Sequence, residues 1–165
     1  METFREAVQW NKGLLNIGGG EPTLHPQLFE MIDYALRRGH RVWICINGKK
    51  TSLALKLAKL TIEKVNLKCK LSQDPWHDPI DPIVIKAFNK LGLIHNVSRG
   101  LGPVKAGRWN KDNRIKCACS NKPFIKPNGT VYQCGCEKSI KIGDVFNGFH
   151  PINNDWKCAN GLRST

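Results

Sequence analysis

The chain has 165 residues, enough for one ordinary domain and an appendage but short of two independent cores. Its 26 Lys and Arg against 13 Asp and Glu give a net charge of +13, spread along the sequence rather than gathered in a block. No apolar run approaches the ~18 residues of a membrane span, and Met1-Glu2-Thr3-Phe4-Arg5-Glu6 lacks the layout of a secretory signal, so a cytoplasmic protein without membrane contact is expected.

Leu14-Leu15-Asn16-Ile17 reads as a strand ending in Gly18-Gly19-Gly20. From Pro26 onward Leu28, Ile32, Ala35 and Leu36 have helical spacing, closed by Gly39. Arg41 to Ile46 is β-branched and aromatic and predicts a second strand, ended by Asn47-Gly48. Thr51 or Ser52 then offers a cap for a helix with Leu53, Leu57 and Leu60 on one face. Val65 to Leu71 alternates apolar and polar residues as a half-buried strand does. Asp81 as cap, Pro82 at the first position and Gly92 beyond the end frame a helix carrying Val84, Phe88 and Leu91, and Leu93 to Val97 is a further strand.

Strands alternating with helices predict an α/β fold with a parallel sheet, open or curled into part of a barrel. After Gly100 the pattern gives way to Gly, Pro, Lys and Asn, with five of the seven cysteines and only Thr130-Val131-Tyr132 strand-like. The expected organisation is this parallel α/β unit, open or curled into a partial barrel, over 1–100, a connector over 101–116 and a small irregular cysteine-rich domain over 117–165.

Seven cysteines in a chain read as cytoplasmic favour ligands or nucleophiles over a disulfide framework. Cys45 and Cys69 lie in apolar strands and read as small hydrophobes. Cys117-Ala118-Cys119 and Cys134-Gly135-Cys136 bracket a turn-forming stretch that could bring four thiolates together, with Cys158 as a fifth candidate. Thiolates suit zinc and iron-sulfur clusters alike. His25 and His77 stand beside prolines at turns, where a hydrogen-bonded loop histidine is the ordinary reading.

The stretch Gly19-Gly20-Glu21-Pro22-Thr23-Leu24-His25-Pro26 resembles the GGEP motif of radical S-adenosylmethionine enzymes, at the end of their second barrel strand. Asn47-Gly48 is similar to the family's third-strand Asn-Gly, and Ser72-Gln73-Asp74, with His77-Asp78 beyond it, to its fourth-strand Ser-x-Asp segment. Cys119, nine residues, Gly129, four residues, Cys134 resembles the C-x(9-15)-G-x4-C pattern of SPASM and twitch domains, and Ile142-Gly143-Asp144-Val145 a segment common in them. The resemblance covers nearly the whole chain. It implies a partial parallel (β/α) barrel of radical SAM type and an auxiliary 4Fe-4S cluster held by four of Cys117, Cys119, Cys134, Cys136 and Cys158. It implies S-adenosylmethionine contact through Gly18, Gly19, Gly20 and Glu21, with Asn47 and Ser72 on the ribose or carboxylate side. The related reactions are radical modifications of a peptide, a nucleotide or another substrate.

The family's CxxxCxxC, which binds the catalytic cluster, is missing, since no cysteine precedes Cys45. The resemblance therefore implies a fragment or degenerate copy, weak in cofactor affinity, inactive alone and open to an N-terminal complementing segment or protein. A different class stands beside it. In that reading the cysteine pairs hold zinc in a nucleic-acid-binding module, with Lys105, Arg108, Lys111, Arg114 and Lys116 on phosphates and Trp109 stacking on a base.

Overall fold

The computed structural model describes residues 1–10, 13–73, 78–96, 123–135 and 139–150. It is a mixed α/β protein of two compact units, each with its own sheet.

The first unit holds four parallel strands, β1 (Leu14–Ile17), β2 (Arg41–Ile46), β3 (Leu67–Gln73) and β4 (Ile94–Asn96), paired in chain order. The helix of the β1–β2 crossover is Leu28–Arg37, that of β2–β3 is Thr51–Glu63 and that of β3–β4 is Pro82–Lys90. Crossovers of one hand between neighbours taken in order lay all their helices on one face. Period two in the strands records that face. Val42, Ile44 and Ile46 of β2 and Leu67, Cys69 and Leu71 of β3 are buried, against Leu28, Ile32, Ala35, Ala54, Leu57, Val84 and Phe88 of the helices. The intervening Trp43, Cys45, Lys68, Lys70 and Ser72 project from the opposite face and are half-buried or exposed.

The predicted strands and helices of this unit are present, with shifted ends. Val65 is almost fully exposed in the turn before β3, which starts at Leu67 and runs on to Gln73. Neither Thr51 nor Ser52 caps its helix. Lys50 holds that position without a side-chain bond, and the Thr51 hydroxyl donates instead to Asp81 Oδ2 at 3.2 Å. Asp81 is the cap its sequence promised, accepting from the Ile83 amide at 3.0 Å with Pro82 next in line.

In the second unit the expectation of an irregular domain is corrected. Its described part is a four-stranded antiparallel sheet of β5 (Phe124–Ile125), β6 (Thr130–Tyr132), β7 (Lys141–Asp144) and β8 (Gly148–Phe149), in that order. Strands this short lack periodicity, so turn chemistry carries the fold. In the β5–β6 hairpin the Gly129 amide donates to Lys126 O across Pro127-Asn128, and Asn128 Oδ1 accepts from the Thr130 amide. In the β7–β8 turn Asp144 Oδ1 accepts from the amides of Phe146 and Asn147 at 2.9 and 2.8 Å.

The N-terminal helix α1 (Glu2–Trp10) groups with this second unit, although the sequence alone places residues 1–10 with the parallel sheet. Ala7 joins Val131 and Val145 in a small core, edged by Ile125, Ile142 and Phe149. Trp10 anchors the helix. Its indole N–H donates to Val145 O at 2.8 Å and its ring lies 5.2 Å from that of Phe149. Among the described residues no helix is long and apolar enough to cross a membrane.

Candidate functional site

In a parallel α/β sheet the loops that follow the strands share one edge, where ligands characteristically bind. Gly18 to Glu21 follow β1, Asn47-Gly48 follow β2, and Ser72 is the next-to-last residue of β3.

Glu21 ties two of these loops together. Its Oε1 accepts from the Thr23 amide at 3.1 Å and the Thr23 hydroxyl at 2.6 Å, opening the short 3₁₀ turn Pro22–Leu24. Its Oε2 reaches across to accept from the Asn47 amide at 2.8 Å. The carboxylate is thus spent on backbone and hydroxyl donors, and it locks the β1 and β2 loops in register. Asn47 Oδ1 accepts from the Lys49 amide at 3.0 Å, and Lys49 pairs with Asp78.

Gly48 is fixed by space as well as by its φ of +74°. A Cβ there would stand 2.6 Å from Leu71 Cδ1 and 3.0 Å from Ile80 Cγ2, inside the packed helix face. Around Gly18, Gly19 and Gly20 the reverse holds. Among the described residues nothing comes within 4 Å of a Cβ added at any of them, and only Gly19, at φ +132°, has a backbone reason to be glycine. That loop leaves its main chain open to close approach.

Ser72 reaches the site beside Cys45, where its side chain favours the thiolate. Burial pushes the Cys45 thiol above its ordinary pKa and the Glu21 charge adds to the effect, while Ser72 and Lys70 oppose it. Glu21, Cys45, Asn47 and Ser72 are thus linked by direct bonds or by charge. Cys45 is the member that sequence reasoning missed, having grouped it with Cys69 as a small hydrophobe. Cys69 is fully buried on the helix face and its thiol is raised chiefly by desolvation. Cys45 lies one residue out of phase with Val42, Ile44 and Ile46, and the alternation of β2 was the signal for its different face.

Of the predicted metal ligands only Cys134 lies among the described residues; Cys117, Cys119, Cys136 and Cys158 lie outside them, as do Asp74, His77 and the basic run from Lys105 to Lys116 with Trp109. Cys134 lies two residues beyond the end of β6 and is buried. Its amide and thiol both reach Ser139 Oγ, at 3.0 and 3.4 Å, in the β6–β7 connection. A serine hydroxyl so placed can turn to donate to a thiolate, as outer partners of metal-bound sulfur do. Gly129, the middle member of the cysteine pattern, has φ +87°, and a Cβ there would press chiefly on the half-exposed ring of Phe146. His25 is a loop histidine whose Nδ1 accepts from the Gln27 amide at 3.1 Å.

No protein family, no curated protein and no solved structure matches this chain.

Proposed function

We propose that the chain is a radical SAM-type iron-sulfur protein, a partial (β/α) barrel followed by a SPASM- or twitch-like domain with an auxiliary 4Fe-4S cluster. The observation that carries the reading is the Glu21 bridge to the Asn47 amide, which joins the GGEP-like and Asn-Gly segments at the carboxyl edge of a parallel sheet wound in one direction. A sheet with strands in chain order and helices on one face is the arrangement from which a barrel closes. Its other face, bearing Trp43, Cys45, Lys70 and Ser72, corresponds to the barrel interior.

In this reading the open backbone of Gly18 to Gly20 meets the amino end of S-adenosylmethionine, while Asn47 and Ser72 line the ribose or carboxylate side. Glu21 positions both loops and is itself held by three donors.

The cysteine spacing also gains a physical rationale. Phe124 of β5 pairs with Tyr132 of β6, so the segment that carries Cys119 joins the hairpin at the end where Cys134 leaves it. Cys119 precedes Pro123 by four residues, a reach of at most ~14 Å. Gly129 makes the turn at the other end. Cys119 and Cys134, with two of Cys117, Cys136 and Cys158, would hold the cluster, and a cluster bound there would supply electron transfer or substrate ligation.

Anaerobic purification followed by iron, sulfide and zinc analysis tests the proposal. Iron and sulfide in about a 4:4 ratio, with visible absorption lost in Cys119→Ser and Cys134→Ser, are expected for such a cluster. A colourless protein with stoichiometric zinc would sink the cluster and leave the zinc-stabilised module standing.

A further inference from the structure

The first unit has a recess toward the amino ends of its strands, distinct from the Glu21 loops though its Lys70 pairs in register with Cys45. It encloses about 310 Å³ and is lined by Leu14, Arg41, Trp43, Val65, Lys68 and Lys70 among others, none of them acidic. Strand register explains the grouping. Leu14 of β1 pairs with Arg41 of β2, and Trp43 of β2 with Lys68 of β3. Arg41, Trp43, Lys68 and Lys70 alternate with the buried Val42, Leu67 and Cys69, so all four project from the face that carries no helix.

Three cations thus surround one indole, with the Lys70 ammonium 5.8 Å from its ring centre. The indole N–H of Trp43 is buried and has no acceptor among the described residues, so it is the ring, not the N–H, that the recess can offer to a ligand. Apolar surface is also left exposed at the rim, where Val65 is 97% and Leu14 41% accessible.

We propose that this recess binds single-stranded nucleic acid, with backbone phosphates on Arg41, Lys68 and Lys70 and one base held against Trp43, Leu14 and Val65. Cations beside an aromatic platform are what a flexible polyanion with planar bases requires. The recess runs across β1, β2 and β3 with a cation on each of several positions, and the chain carries +13, which favours a continuous strand over a free mononucleotide. This inference is independent of the cluster proposal, since its residues belong to the first unit and include no cysteine.

Fluorescence anisotropy of a labelled 12-nucleotide single strand, titrated with the full chain across a salt series, tests it. Arg41→Gln/Lys68→Gln/Lys70→Gln should weaken binding on the order of tenfold or more at low salt. It should also reduce the slope of log K against log salt by about two, from roughly 0.7 per phosphate contact. Trp43→Leu should weaken binding with the slope unchanged. Lys59→Gln/Lys86→Gln/Lys90→Gln removes the same charge from exposed helix positions and should leave affinity within about twofold. If the triple groove variant does not fold, Lys68→Gln alone, at an exposed position, should still lower the slope. Equal loss in the helix variant, absence of binding at low salt, equal affinity for a duplex, or competition by a mononucleotide at equal nucleotide concentration would each overturn the proposal.

Discussion

At the scale of single residues, the glycines divide by what a Cβ would meet. At Gly143, φ +142°, it would lie 2.4 Å from the Gly148 carbonyl oxygen, a backbone atom held by the β7–β8 pairing. At Gly129, φ +87°, it would meet chiefly the ring of Phe146, which is half exposed and able to swing aside. Gly143→Ala should therefore cost the second unit ~3 kcal/mol or more, and Gly129→Ala about 1–2 kcal/mol from its backbone angle. Urea unfolding of the two variants checks the order, and the reverse order would contradict the packing. Glu21 gives a second contrast. Glu21→Gln keeps the shape but turns an amino group toward one of three donors, and should destabilise the first unit by ~1–3 kcal/mol in the same measurement. A neutral outcome would mean that the carboxylate is not what locks the two loops.

At the scale of elements, α1 depends on its partners. Nine residues are too few for a stable isolated helix, so its order comes from Ala7 in the small core and from Trp10. Trp10→Phe keeps an aromatic ring near Phe149 but leaves Val145 O without its indole donor, a cost of about 1–2 kcal/mol. Hydrogen exchange should accelerate in β6 and β7 and stay unchanged in β2 and β3. Acceleration in the parallel sheet would place the helix with the other unit. The parallel elements were legible in the sequence because their helices and strands are long enough to display a period, as Leu28–Ile32–Ala35 and Val42–Ile44–Ile46 do. Helix α1 was missed although Phe4, Ala7 and Val8 have helical spacing, because one turn and a half of pattern does not stand out without the surface it covers. Strands β5, β7 and β8, two to four residues long, offered less still.

At the scale of the whole molecule, the two described thiols of the first unit couple its stability to alkaline pH. Both Cys45 and Cys69 are raised above their ordinary value of 9.0, first by burial. Below that pH both thiols are protonated in the folded and the unfolded chain, and they contribute no pH dependence. Above it the unfolded chain loses protons that the folded chain keeps, so stability falls as pH rises. Urea midpoints between pH 8 and 10.5 should decline for the wild type and decline less for Cys69→Ala. Equal slopes would remove Cys69 as the cause. Asp144 acts at the opposite end. Its bonds to Asn147 and Phe146 hold its carboxyl below the usual range, so its contribution is present above the ordinary carboxylate pKa and lost as pH falls through the lowered value.

By itself the sequence determined the α/β alternation, the cap at Asp81 and the set of residues following each parallel strand, because hydrophobic period and turn chemistry are local properties. It also placed Gly18 to Glu21, Asn47 and Ser72 at strand ends. Only the tertiary structure decided that Glu21 bonds to the Asn47 amide 26 residues away and that the first helix serves the second unit. Those outcomes rest on strand register and on which surfaces are left to cover, and neither is fixed until distant segments have paired.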